Sequence, residues 1–201
     1  MADDIGTYRQ ALEDMLKDRG NDAWLTEELD AAIQLALADL AQRTPREESA
    51  DLTLAQSGRK VSLSSIAGYL WLEEVWWPYE EGEYPARAVP FEVRDGELTL
   101  HTSAEPRVGE TVHVLYAAAH AISGLDGATE TTVPAEVRGV LVLGAAGYAA
   151  LAKAAAMGRE YAWPTTAAAV TRHWGETMLA LFQARLKALR SAAAQAWVTW
   201  G

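Results

Sequence analysis

Apolar residues recur every three or four positions in the first part of the chain, then every second position, and then every three or four again. The longer spacing is typical of a helix with one buried face, and alternation is typical of a half-buried strand. The pattern therefore predicts two helices, a β segment and two further helices, in that order.

The first predicted helix presents an apolar face made of Ile5, Tyr8, Leu12 and Met15. Thr26 is the predicted N-cap of the second helix, because its hydroxyl oxygen can accept a hydrogen bond from a free backbone N–H. That helix continues through Leu40 and ends before Pro45, since a residue preceding proline avoids the helical region. Alternation then begins at Asp51.

The β segment contains one specific turn signal. Asp95-Gly96 stands between the alternating runs Phe91–Arg94 and Glu97–Leu100. These two residues accept the positive φ angles of a two-residue turn, so a tight hairpin is predicted here. With the other alternating runs, residues 51–132 are expected to form four to six antiparallel strands in a small sheet or sandwich.

Two apolar helices follow, from Pro134 to about Met157 and from about Thr166 to Ala196. Gly139, Gly144 and Gly147 lie inside the first and indicate close helix packing, either within this chain or with another subunit. The second helix has two apolar stripes, one with Val170, Trp174, Met178 and Leu181 and one with Phe182, Leu186 and Leu189. Two stripes indicate contact with a second chain, or a helix covered on all sides; Trp174 and Phe182 are therefore candidate packing residues.

The simplest arrangement is a mainly α fold of the α+β type. We expect residues 1–50 and 133–201 to form a four-helix bundle, with the small antiparallel sheet or sandwich of residues 51–132 inserted between the second and third helices. The longest apolar run, Val140–Ala152, is shorter than the ~20 residues of a membrane span. No membrane association is expected from it.

Charge is unevenly distributed along the 201 residues, whose formal net charge is −11. Residues 1–50 and 51–134 are acidic, at −7 and −8, whereas residues 135–201 carry +4. An acidic protein is a poor duplex binder, because neutralising phosphates needs clustered Lys and Arg. The basic end suits an acidic partner. There is no cysteine, which excludes disulfides and thiolate metal sites.

The chain carries no recognisable catalytic motif. Its histidines lack metal-ligand spacing, and the paired carboxylates Glu73-Glu74 and Glu80-Glu81 are typical of a solvated surface. No Gly-x-Ser-x-Gly or phosphate-binding loop is found. We therefore predict a protein that is not an enzyme and needs no cofactor or metal. An enzyme built on the clustered carboxylates is the least supported reading.

Tryptophan is unusually frequent, with eight Trp against two Phe. Trp71, Trp76 and Trp77 precede a Pro-rich turn, and Trp197 and Trp200 end the sequence. Tryptophan is favoured both in cores and in interface hot spots. The terminal pair favours a partner contact, while the central group leaves open a binding module that recognises a sugar or peptide through a Trp-rich sheet.

Several segments together resemble one known family. In chain order they are Trp24–Thr26, Ala41–Pro45, Ile66–Pro78, Val89–Phe91, Asp95-Gly96, Gly109–Tyr116, Thr132–Pro134 and Gly144–Ala149. Their order is similar to that of the head-to-tail adaptor, or connector, proteins of tailed bacteriophages and prophages. The resemblance covers most of the chain but includes no catalytic signature.

The resemblance implies a structural virion protein of the neck, assembled in the host cytoplasm as a closed homo-oligomeric ring of about a dozen copies under the portal protein. The ring would extend the DNA channel without sequence-specific DNA binding and support the stopper or tail-completion protein. Family members use the C-terminal segment to grip the portal. Here that segment comprises Leu189, Gln195, Ala196, Trp197, Val198, Thr199, Trp200 and Gly201.

Overall fold

The computed structural model of the chain describes residues 3–20, 23–82, 87–160 and 166–198, without the side chains of 159, 160 and 190–198. Its elements are α1 (Ile5–Leu16), α2 (Thr26–Arg43), β1 (Arg46–Thr53), β2 (Lys60–Ser62), β3 (Tyr69–Trp76), β4 (Phe91–Arg94), β5 (Glu97–Leu100), β6 (Thr111–Ala118), α3 (Arg138–Glu160) and α4 (Thr166–Val198). They belong to two compact units, Met1–Thr44 with His120–Gly201 (the helical unit) and Pro45–Ala119 (the strand unit).

Helix α3 is the centre of the helical unit, and α1, α2 and α4 all pack on it. Its buried residues lie on more than one face, because Gly147 and Ala150 are buried on the side of the helix away from Leu141 and Ala145. A helix that is apolar on most sides is stable only when other elements surround it. Alanine and glycine keep its surface small, so the neighbouring helices approach closely.

The prediction of a four-helix bundle with an inserted sheet is wrong. The described residues form four helices and two small three-stranded antiparallel sheets, with roughly 43% helix and 22% strand, which is a mixed α+β fold. In a bundle the helices share one central core, whereas here the extensive helix contacts all involve α3. Apolar spacing identifies a buried face of a helix but not the neighbour that covers it.

The first two helices begin and end with local signals. Asp4 caps α1 by accepting a hydrogen bond from the Thr7 N–H at 2.9 Å, and that bond lowers the pKa of the Asp4 carboxyl. Lys17 ends α1 in the left-handed conformation. The predicted N-cap of α2 is displaced by one residue: Thr26 is the first helical residue, and the Glu28 carboxylate accepts from the Leu25 N–H at 2.8 Å.

The strand unit consists of the sheets β1-β6-β3 and β2-β5-β4, each fully antiparallel. Both contribute to one hydrophobic core, with Leu52, Val75 and Val114 from the first sheet and Val61 and Leu98 from the second. The hairpin prediction is confirmed, since Asp95 and Gly96 join β4 to β5 with φ of 52° and 78°. Strand β1 starts at Arg46, earlier than the alternation predicted, because Arg46–Ser49 pair with β6.

Candidate functional site

The glycines of α3 differ sharply in their surroundings. A Cβ at Gly144 would lie 2.7–2.9 Å from three ring carbons of Phe182, and one at Gly147 would lie 2.7 Å from Leu179 Cγ. Phe182 is completely buried. A Cβ at Gly139 would meet no heavy atom within 4 Å. Gly144 and Gly147 therefore permit the antiparallel contact of α3 with α4, whereas Gly139 makes no such contact with any described residue.

Only one of the two apolar stripes of α4 is covered. Phe182 and Leu186 are buried against the rest of the helical unit, and Leu189 is half-buried against the same core. The other stripe, Val170, Trp174, Met178 and Leu181, is here called the outer stripe.

The outer stripe is exposed at both ends, whereas Trp174 between them packs against the core of the helical unit. Val170 is 63% exposed and Leu181 is 48% exposed, while Trp174 and Met178 are half-buried. Arg185 is exposed one turn beyond Leu181, so the stripe ends in a positive charge. A stripe of this kind on the largest helix of the unit is a candidate surface for a protein partner.

One end of the outer stripe borders an apolar groove of about 420 Å³. Met15, Trp24, Val170 and Trp174 contribute to its walls. Trp24 is held in place because its Nε1–H donates to the Ala149 carbonyl at 3.3 Å. The groove is therefore built by side chains whose positions the fold already determines.

A polar junction joins the three largest helices beside the covered stripe. The Tyr148 hydroxyl donates to Asp39 Oδ2 at 2.6 Å, and Gln183 Nε2 donates to the same oxygen at 3.0 Å. Burial, and then the hydrogen bond to Asp39, raise the pKa of Tyr148 to about 12. These residues lie on α2, α3 and α4, so the junction sets their relative positions. No local sequence pattern connects them, and sequence reasoning missed them.

The tryptophans of the strand unit have three different environments. Trp77 is buried, and its Nε1–H donates to Glu110 Oε2 at 3.1 Å. Trp71 is 42% exposed. Trp76 packs with Tyr79 and His113 in a three-ring cluster whose centroids are 4.4–6.2 Å apart. The predicted central tryptophan group is thus divided between core and surface.

The carboxylate pairs singled out from the sequence lie on the surface. Glu73, Glu74, Glu80 and Glu81 are exposed, and Glu74 Oε2 accepts a hydrogen bond from Trp76 Nε1 at 2.9 Å. Within the described residues, no group of three His, Asp or Glu side chains is arranged to hold a metal ion.

The predicted partner-binding segment is described only in part. Helix α4 continues to Val198, and the last of its side chains that the structure describes is the half-buried Leu189. The side chains of Gln195, Ala196, Trp197 and Val198, and the whole of Thr199, Trp200 and Gly201, lie outside the described residues.

Helix α3 is longer and more apolar than the run Val140–Ala152 suggested. Over Arg138–Gly158 it has 21 residues with a mean hydropathy of 1.7, enough by length and composition alone to cross a membrane, and half of its most apolar stretch is buried inside the protein. A core helix enclosed by three others has the same composition, so this is weak evidence for a membrane span.

No protein-family model matches this chain. No curated protein matches it either.

Proposed function

We propose that this protein is a ring-forming structural subunit, specifically a head-to-tail adaptor in the neck of a tailed phage or prophage particle. The observation that carries the proposal is the outer stripe of α4, whose Val170 and Leu181 remain exposed although the helix is anchored by α3. Apolar burial contributes roughly 25 cal/mol per Å². A neighbouring subunit that covers this stripe therefore stabilises the assembly.

The family resemblance supports the same function. The order of its segments along the chain, from Trp24–Thr26 to Gly144–Ala149, is similar to that of the adaptor proteins. In this proposal the ring contains about a dozen copies, docks under the portal protein through the end of α4, and supports the stopper or tail-completion protein. Net charge also favours it: at −11, the subunit repels phosphates and lets duplex DNA pass without holding it.

The test measures mass by light scattering behind a sizing column, for the protein alone and mixed with a portal protein from the same genome. We expect a ring, or a monomer that becomes ring-bound on the portal. A persistent monomer or dimer that ignores the portal would contradict the proposal.

A matched pair of variants tests the outer stripe itself. Val170→Gln with Leu181→Gln should reduce ring formation while the helical circular dichroism is unchanged, since both side chains are exposed. Val108→Gln is the control, because Val108 is 62% exposed in a turn of the strand unit, close to the value for Val170. Equal assembly of both variants would show that the outer stripe is not the subunit contact.

The exposure of Trp71 favours a second candidate, a small binding module that recognises a sugar or peptide. Screening the protein against glycan and peptide arrays tests it, with Trp71→Ala as the variant. Binding that Trp71→Ala abolishes, in a protein that stays monomeric beside the portal, would favour this module over the adaptor.

A further inference from the structure

The sheet β1-β6-β3 has an outer face on the side opposite the core of the strand unit. Successive side chains of a strand point to opposite faces. Since Leu52 and Val114 lie in the core, their strand neighbours Asp51 and His113 lie on the outer face. Trp76 pairs with His113 in the same row.

The outer face is acidic and carries aromatic rings. Its row at one end contains Asp51, His113 and Trp76, and the row at the other end contains Glu47 and the exposed Trp71, both paired with Ala117. Glu74 lies between them, opposite Leu115. Strands β3 and β6 contain no Lys or Arg. This face therefore fits a partner that combines apolar side chains with positive charge.

The outer stripe of α4 has that complementary chemistry. It presents Val170 and Leu181, and Arg185 follows one turn later. The described, exposed charged residues of the helix are Arg172, Glu176, Arg185 and Lys187, which are mainly basic. The same asymmetry extends over the whole sequence, with −8 in residues 51–134 and +4 in residues 135–201.

We propose that the outer face of sheet β1-β6-β3 in one copy receives the outer stripe of α4 from a second copy. Trp71 covers the exposed aliphatic side chains, and Arg185 faces the carboxylates of Glu47 and Glu74. This inference rests on the proposed ring, and it names the two surfaces that meet. The contact joins two molecules through two different surfaces, so it is heterologous and can close into a ring.

Complementary charge reversal tests the contact. The variant Glu47→Lys with Glu74→Lys blocks the sheet face, and Arg185→Glu blocks the helix. Each alone should weaken self-association at least about tenfold. A mixture of the two variants should regain self-association with the two variants alternating, because the intact helix stripe of one meets the intact sheet face of the other and the two reversed surfaces are again opposite in charge. Glu92→Lys is the control, since Glu92 is exposed on β4 in the other sheet.

Sedimentation velocity should be run on each protein alone and on the portal-bound state, with circular dichroism to show that each variant is folded. Wild-type assembly in both charge-reversed variants would overturn the proposed contact while leaving the adaptor function standing. Self-association retained in Glu47→Lys/Glu74→Lys but lost in Arg185→Glu would overturn it in favour of stripe-to-stripe pairing of α4. Wild-type protein that neither self-associates nor binds the portal would refute the adaptor function itself.

Discussion

Replacing Gly144 by alanine tests the close contact of α3 with α4. The new Cβ would lie 2.7–2.9 Å from three ring carbons of Phe182, well inside the ~3.5–4.0 Å at which carbon atoms attract one another. Because Phe182 is completely buried, its ring has no solvent-facing position to adopt without disturbing the core. The substitution therefore adds volume to a closed site.

The expected change in unfolding free energy follows from two opposing effects. Overpacking a core costs typically about 1–3 kcal/mol, and replacing glycine by alanine inside a helix gains about 1 kcal/mol. Because the new Cβ would meet three ring carbons of a buried side chain at 2.7–2.9 Å, the overpacking cost lies in the upper half of that range, at about 2–3 kcal/mol. The net loss is then about 1–2 kcal/mol, which lowers the Tm by roughly 2–8 °C in a chain of this size. Gly139→Ala is the control on the same helix, because its Cβ would meet no atom within 4 Å; it should cause no loss.

Urea unfolding followed by circular dichroism at the helix band measures both variants, and a double-mutant cycle assigns the cause. Phe182→Leu alone should destabilise the protein by removing buried atoms. Combined with Gly144→Ala, it should cost less than the sum of the two single changes, with a coupling of at least about 0.5 kcal/mol. Additive losses, or a Gly144→Ala protein as stable as wild type, would refute the steric reasoning.

Four further predictions address other parts of the chain. The Tyr8 hydroxyl is buried without a hydrogen-bond partner among the described residues, so Tyr8→Phe should raise stability by about 1 kcal/mol at pH 7. Burial raises the pKa of Tyr8 to about 12. The unfolding free energy therefore keeps its full value below pH ~10, where the unfolded tyrosine begins to ionise, and falls as the pH rises towards 12. Tyr8→Phe should lessen that fall in alkaline titrations followed by circular dichroism. Asp39→Ala removes the acceptor of the half-buried Tyr148 hydroxyl and should lower the unfolding free energy by about 1–3 kcal/mol in urea; an unchanged midpoint would contradict the role of the junction. Gly96→Ala should cost about 1 kcal/mol or more in thermal melts, because φ is 78° there, and an unchanged Tm would show that the turn relaxes. Deleting Ala196–Gly201 should leave a folded protein that no longer co-sediments with the portal. Unchanged binding would contradict the portal-binding role of this segment.

Local signals in the sequence were sufficient where the structure depends on a few adjacent residues. The Asp95-Gly96 turn is such a case, because the two residues supply the positive φ angles and the flanking strands supply the pairing.

The first strand, β1, depends instead on distant residues. Arg46–Ser49 carry three charged residues and no apolar alternation, and they form a strand because they pair with Leu115–Ala118 of β6. That pairing is distant in sequence.

The arrangement of the helices depended on contacts that periodicity does not encode. Both stripes of α4 are visible in the sequence, but only the structure shows that Phe182 packs beside Gly144 and leaves Leu181 outside. The junction likewise joins Asp39 to Tyr148 and Gln183, which lie more than a hundred positions later in the chain. Such contacts determine which apolar face is available to a partner, and therefore where the candidate surface lies.

The composition of the candidate surfaces indicates how assembly could be controlled. Obligate interfaces are large and predominantly apolar, whereas the outer stripe has only two strongly exposed aliphatic side chains, Val170 and Leu181, and a charge at its end. Exposed charge pairs are screened within about 8–10 Å at physiological salt, so each contact between copies is weak alone. In the proposed adaptor, a portal that holds neighbouring subunits side by side would raise their effective concentration and make the same contacts sufficient. Weak, complementary surfaces thus favour a ring that forms on its template rather than free in solution.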